Sequence, residues 1–148
     1  MGLHCTRLMN SQGTVPTEFM MTVAVISLAS CDIADPDGKW TPMDWEAEVP
    51  VQITDGIYNV SAAGSEFTFA CQNYSKPWIA DALYNGKYYH HELDDMRTIT
   101  VDWFKASISG NKLNVVIDAN ETAEERQIEL TVTAGDCFYT FKFKQLAN

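Results

Sequence analysis

Tyr84-Asn85-Gly86-Lys87-Tyr88-Tyr89-His90-His91-Glu92-Leu93-Asp94-Asp95 is the densest run of chemistry-bearing side chains in the sequence. Asn-Gly favours a two-residue hairpin turn, because both central positions take positive φ. A hairpin tip at Asn85-Gly86 presents Tyr84, Tyr88 and Tyr89 around the turn. Tyrosine supplies a flat, amphipathic ring at low entropic cost, and the C–H faces of sugar rings stack on such surfaces. Asn85 and Asp81 add hydrogen-bonding groups for hydroxyls. The candidate ligand-binding residues are therefore Tyr84, Asn85, Tyr88 and Tyr89. The alternative is a hairpin whose tyrosines partly cover the domain itself and partly face solvent.

The same run holds metal-ligand types in His90, His91, Glu92, Asp94 and Asp95. Adjacent histidines on a strand point to opposite faces and cannot serve one site without a bulge. The only other histidine is His4, and a closed zinc site wants a full set of nitrogen and sulfur ligands. The acidic run also lacks calcium-loop spacing. Neither metal nor cofactor is expected. Asp81 and Glu92 form a nominal carboxylate pair, but nothing in the sequence sets their separation or an apolar pocket to raise one pKa. There is no Gly-x-Ser-x-Gly elbow and no glycine-rich phosphate loop. An enzyme is not expected.

The chain has 148 residues, 20 acidic against 10 basic, and a formal net charge of −10. That length fits one domain, and the apolar fraction of 46% suits a packed core. Nucleic-acid binding needs clustered Lys and Arg, so this charge balance argues against it. The longest apolar run, around Met20 to Ser30, is shorter than the roughly 20 residues of a membrane-spanning helix. Phe19 to Ser30 instead has the length of a signal-peptide core and ends in small residues. Leu28-Ala29-Ser30-Cys31 resembles the bacterial lipobox, in which the cysteine thiol is acylated before cleavage. The upstream segment departs from that pattern: its only Lys or Arg is Arg7, and Glu18 flanks the apolar run. Met20 or Met21 is an alternative start. The resemblance implies a signal peptide at 1–30, lipidation at Cys31, and an outer-membrane address on the surface or periplasmic side. Residues 31–47, acidic and interrupted by Pro36, Gly38 and Pro42, then read as a tether. Trp40 and Trp45 within it are expected to pack on the domain flank.

Cys71 and Cys137 are the remaining thiols beyond Cys5 and Cys31. Alternation groups Cys71 with Phe67 and Phe69, and Cys137 with Tyr139, Phe141 and Phe143, so both point to a core. Two readings stay open: a disulfide, which export permits, or two buried free thiols.

From residue 48 onward, short alternating runs are separated by turn residues. They span 48–54, 57–60, 66–71, 78–83, 87–91, 98–103, 104–109, 112–118, 126–133 and 137–144. The spacing predicts an all-β sandwich. Ser109-Gly110-Asn111 and Ala134-Gly135-Asp136 supply hairpin loops, and only Asn120 to Glu125 has helix-forming composition.

Leu113 to Ile117, Asn120 to Arg126, Ile128 to Gly135 and Phe141 to Gln145, together with Trp103, resemble the closing half of a BACON domain, the Bacteroidetes-associated carbohydrate-binding, often N-terminal family. Ala63 to Phe69 and Trp78-Ile79 resemble its opening strands, so the likeness runs over roughly residues 50–146. The aromatic stretch Ala80 to Asp95 departs from the compact family pattern. The resemblance implies an immunoglobulin-like sandwich of about seven to nine antiparallel strands in residues 48–148, with glycan, carbohydrate or mucin, as ligand. The residues themselves suggest structural roles for the motif: Asn120 in a strand-exit turn, Arg126 paired with Glu121, Glu124 or Glu125, and Trp78 and Trp103 as core anchors. The expected function is a non-catalytic binding module of the cell envelope. The alternative is a spacer or a module that docks an envelope protein partner.

Overall fold

The computed structural model describes residues 40–90 and 95–148. The expected signal peptide, Cys31 and the tether up to residue 39 lie outside the described residues, as do His91, Glu92, Leu93 and Asp94. Among the described residues eleven strands follow one another: β1 (Trp45–Ala47), β2 (Ile53–Thr54), β3 (Ile57–Val60), β4 (Ser65–Cys71), β5 (Trp78–Tyr84), β6 (Lys87–His90), β7 (Thr98–Val101), β8 (Phe104–Ser109), β9 (Lys112–Ile117), β10 (Arg126–Ala134) and β11 (Cys137–Gln145). They form a five-stranded sheet in the order β1-β4-β9-β8-β7 and a six-stranded sheet in the order β2-β3-β11-β10-β5-β6. With β1, β4, β9 and β8 as strands A, B, E and D, and β11, β10, β5 and β6 as G, F, C and C′, the arrangement is that of an immunoglobulin-like sandwich.

Two details differ from expectation. The strands among the described residues number eleven rather than seven to nine, and β3 runs parallel to β11 while the other pairs are antiparallel. The extra count comes from edge strands of three and two residues, β1 and β2, too short for an alternating pattern to declare them.

Alternation builds the core. In β10, Ile128, Leu130 and Val132 are buried between less buried neighbours, and they face Phe143, Phe141 and Tyr139 of β11 across the ladder. Rings from both sheets meet there: Phe69 lies 4.9 Å from Phe141, and Tyr58 lies 5.2 Å from Phe69. Such pairs contribute about 0.5–1.5 kcal/mol each beyond their burial.

The compact unit begins at Trp40, so residues 40–47 belong to the folded domain and not to a tether. Trp45 wedges its indole edge-on against Phe141 at 5.3 Å, and Met43 is buried. Asn73 holds the segment from both sides, donating to the Pro42 carbonyl at 2.8 Å and accepting from the Asp44 N–H at 3.0 Å. Tyr74 adds a 2.6 Å bond to the Thr41 carbonyl. Trp40, by contrast, stays 54% exposed. Among the described residues, no helix is long and apolar enough to cross a membrane.

Candidate functional site

The hairpin predicted at Asn85-Gly86 forms, with φ of 50° and 72° at its two turn residues. Its register pairs Tyr84 with Lys87, Leu83 with Tyr88, Ala82 with Tyr89 and Asp81 with His90. Because strand neighbours alternate in direction, Tyr84, Lys87 and Tyr89 share the side of buried Ala82, whereas Tyr88 and His90 stand on the outer face. The three tyrosines therefore do not make one platform, which corrects the expected cluster. Tyr84 packs edge-on against Trp103 at 5.5 Å. Tyr89 leans on the core with the Lys87 ammonium 4.7 Å over its ring. Tyr88 is 57% exposed and stacks on His90 at 6.4 Å.

Of the four candidate residues, Tyr84 and Asn85 line an open groove of about 640 Å³ between the hairpin and the segment from Thr122 to Glu129. The antiparallel pairing of β5 with β10, Leu83 opposite Glu129, brings the two walls together. Glu124, Gln127 and Glu129 supply the opposite wall with acceptors and an amide. Glu129 is ion-paired to Lys142 at 3.4 Å and Glu125 to Lys144 at 2.7 Å, so part of the acidic charge is locally balanced. Sequence reasoning missed Glu124, Gln127 and Glu129 as groove residues, since they lie about forty positions from Asn85 in the chain and carry no motif of their own.

Arg126 also lines this groove, and its work and that of the other motif residues is structural. Arg126 does not pair with Glu121, Glu124 or Glu125 among the salt bridges observed. Its guanidinium lies 4.1 Å over the Trp103 ring, donates to the Gln145 side-chain oxygen at 2.8 Å, and donates to the carbonyls of Asp118 and Ala119 at 3.0 Å each. The reason is that Trp103 and Gln145 offer a preorganised, partly desolvated slot, whereas an exposed carboxylate offers about 0–1 kcal/mol. Gln145 is fully buried and sends its amide to the carbonyls of Ser61, Ala62 and Asp118. Asn120, also buried, donates to the carbonyls of Glu124 and Leu146 and accepts from the Thr122 N–H. No helix forms over Asn120 to Glu125, because these side-chain bonds hold a turn instead. Trp103 is a core anchor at 6% exposure. Trp78 is not: it pairs with Thr133 on the outer face of the six-stranded sheet and is only half-buried.

Both thiols are free and buried. Cys137 donates to the Thr41 carbonyl at 3.3 Å and Cys71 lies 3.6 Å from the Asn73 side-chain oxygen. Of the two readings left open, the structure takes the unbonded one. Tyr74, close to both, has its phenol pushed up by desolvation first and by its bond with Cys137 second. Among the described residues, no group of three or more His, Cys, Asp or Glu side chains could hold a metal ion. Glu92, half of the nominal carboxylate pair, lies outside the described residues, and Asp81 sits opposite His90 on the outer face.

A solved structure, the NMR structure of a protein from Bacteroides thetaiotaomicron, matches this chain at 36% sequence identity and a TM-score of 0.66, covering 80% of this chain and 98% of that one. The chain belongs to that protein's family. No family model and no curated protein matches it. More distant in sequence is titin domain M7, at 12% identity and a TM-score of 0.43 over 74% of this chain and 99% of that one.

Proposed function

We propose that this protein is a non-catalytic, lipid-anchored binding module of the bacterial cell envelope, of BACON type, that takes a glycan in the groove between the β5–β6 hairpin and the start of β10. The observation that carries the reading is the lining of that groove: the Tyr84 ring is held edge-on by Trp103, with Asn85, Gln127, Glu124 and Glu129 around it. Amide and carboxylate groups of this kind read hydroxyls in both donor and acceptor senses, and the groove volume lies within the range of small-molecule sites. The anchor reading rests on the lipobox-like Leu28-Ala29-Ser30-Cys31 at the end of the apolar run. Acylation of Cys31 would anchor the domain to the outer membrane, on its surface or periplasmic side.

A glycan-array screen of the purified protein tests the ligand. Asn85→Ala and Gln127→Ala should each weaken binding by about tenfold, the loss expected for one hydrogen-bonding side chain at a polar site. A blank array would sink the glycan reading. Membrane fractionation tests the anchor: Cys31→Ala should move the protein to the soluble fraction, and its retention would refute lipidation.

A second reading, docking of an envelope protein, is favoured by one observation. β6 is the last strand of its sheet among the described residues. Such an edge can accept an added strand from a partner. Crosslinking in cells with a photoreactive residue at Lys87 would capture that partner and leave glycan binding unaffected.

A further inference from the structure

The outer face of the six-stranded sheet carries a second set of rings. Register places Trp78, Thr133 and Phe138 in one row across β5, β10 and β11. Neighbouring strands lie about 4.8 Å apart, so the indole and the phenyl stand about 10 Å from each other with Thr133 between them. Thr133 is buried, and its hydroxyl is spent on the carbonyls of Gly135 and Cys137. Phe138 is 62% exposed, the highest value among the exposed large apolar residues described. The next row is polar: His90, Asp81, Thr131 and Thr140 follow one another across β6, β5, β10 and β11. In the third row Tyr88 and Leu83 stand beside the Glu129–Lys142 ion pair.

We propose that this face binds an extended, uncharged polysaccharide, with sugar rings stacking on Trp78, Phe138 and Tyr88 and hydroxyls met by Asp81, His90, Thr131 and Thr140. The proposal rests on the glycan reading above but concerns the outer face, which lies on the opposite side of the sheet from Tyr84 and meets the groove at its Leu83–Glu129 edge. Three features on the face select this occupant. The rings are separated by a row of hydroxyl and ionisable groups, whereas the centre of a protein interface is continuous and depleted of charge. Lys142 neutralises Glu129, so the face has little net sign for a charged polymer to recognise. A second copy of the chain, or an anionic polymer, meets the repulsion of a net charge of −10. Nothing inside the fold requires a phenyl at position 138, since its own neighbours leave it in water.

Affinity electrophoresis of the full chain through gels containing xyloglucan, galactomannan or laminarin, with heparin as the anionic comparison, tests the face. Phe138→Ala and Tyr88→Ala change exposed rings and should leave the melting temperature within a degree or two of the parent. Each is expected to weaken retention by a neutral polysaccharide at least fivefold, while Asn85→Ala in the groove leaves that retention in place. Retention lost in Asn85→Ala but kept in both ring variants would overturn the outer-face site and leave the groove reading intact. Absence of retention together with a blank glycan array would overturn both. Preferential retention by heparin, or a concentration-dependent dimer that Phe138→Ala abolishes, would each overturn the uncharged-polysaccharide assignment.

Discussion

Gln145 has no exposed surface, and a buried amide is tolerable only when its polar atoms find partners. Its nitrogen reaches the carbonyls of Ser61, Ala62 and Asp118, and its oxygen accepts from Arg126. The side chain thus ties the closing strand to two loops and seats the guanidinium on Trp103. Gln145→Ala is expected to cost about 2–4 kcal/mol, because it strands Arg126 and several carbonyls at once; urea denaturation would show it, and a loss under about 1 kcal/mol would mean water replaces the amide. Tyr58 makes a different prediction. Burial, and next the neighbouring Tyr139 hydroxyl, raise its pKa above the ordinary value of 10.0. The unfolded phenol therefore ionises first, so the stability it contributes is whole below pH 10 and is lost as pH rises above that. Unfolding curves recorded from pH 8 to 11 should show a smaller decline for Tyr58→Phe than for the parent.

At the scale of elements, tight turns decide where strands stop, and two glycines show two physical reasons. Gly86 takes φ of +72° at the hairpin tip, where an added Cβ would meet nothing. Gly64 takes φ of +83° just before β4, where a Cβ would run into the Ile117 carbonyl oxygen and the backbone of Asp118 and Ala119. Gly86→Ala should therefore cost about 1–2 kcal/mol, the left-handed strain alone. Gly64→Ala should cost more, about 3 kcal/mol or above, since backbone must also move. Thermal melts of the two variants check the order, and equal losses would show that the loop after β9 yields freely. Hairpin turns of this kind were legible in the sequence as Asn85-Gly86, Gly110-Asn111 and Gly135-Asp136. The runs read at 57–60 and 104–109 coincide with β3 and β8 residue for residue. β1 was illegible, because three residues beside Pro42 carry no period and Trp45 becomes a strand residue only through Phe141 and the Cys71 partner it finds.

For the whole molecule, two thiols on facing sheets remain unbonded although both point inward. Alkylation of the unfolded, unreduced chain followed by mass spectrometry should find Cys71 and Cys137 both modified; protection of the pair would show that the protein closes a bond. The alternation of Ile128, Leu130 and Val132 against Phe141 and Phe143 determined from sequence alone that this chain is an all-β sandwich with an aromatic core, because a period of two places every second side chain on one face wherever the strand sits. The family resemblance, rather than alternation, marked Asn120, Arg126 and Gln145 as residues with a job. What that job is depended on tertiary structure: Arg126 chose Trp103 and Gln145 over nearby carboxylates. The split of Tyr84, Tyr88 and Tyr89 followed from pairing register, and the groove from the meeting of Leu83 with Glu129. Periodicity is a local property of the chain and survives in its sequence, whereas a binding surface joins residues that only strand pairing brings within reach of each other.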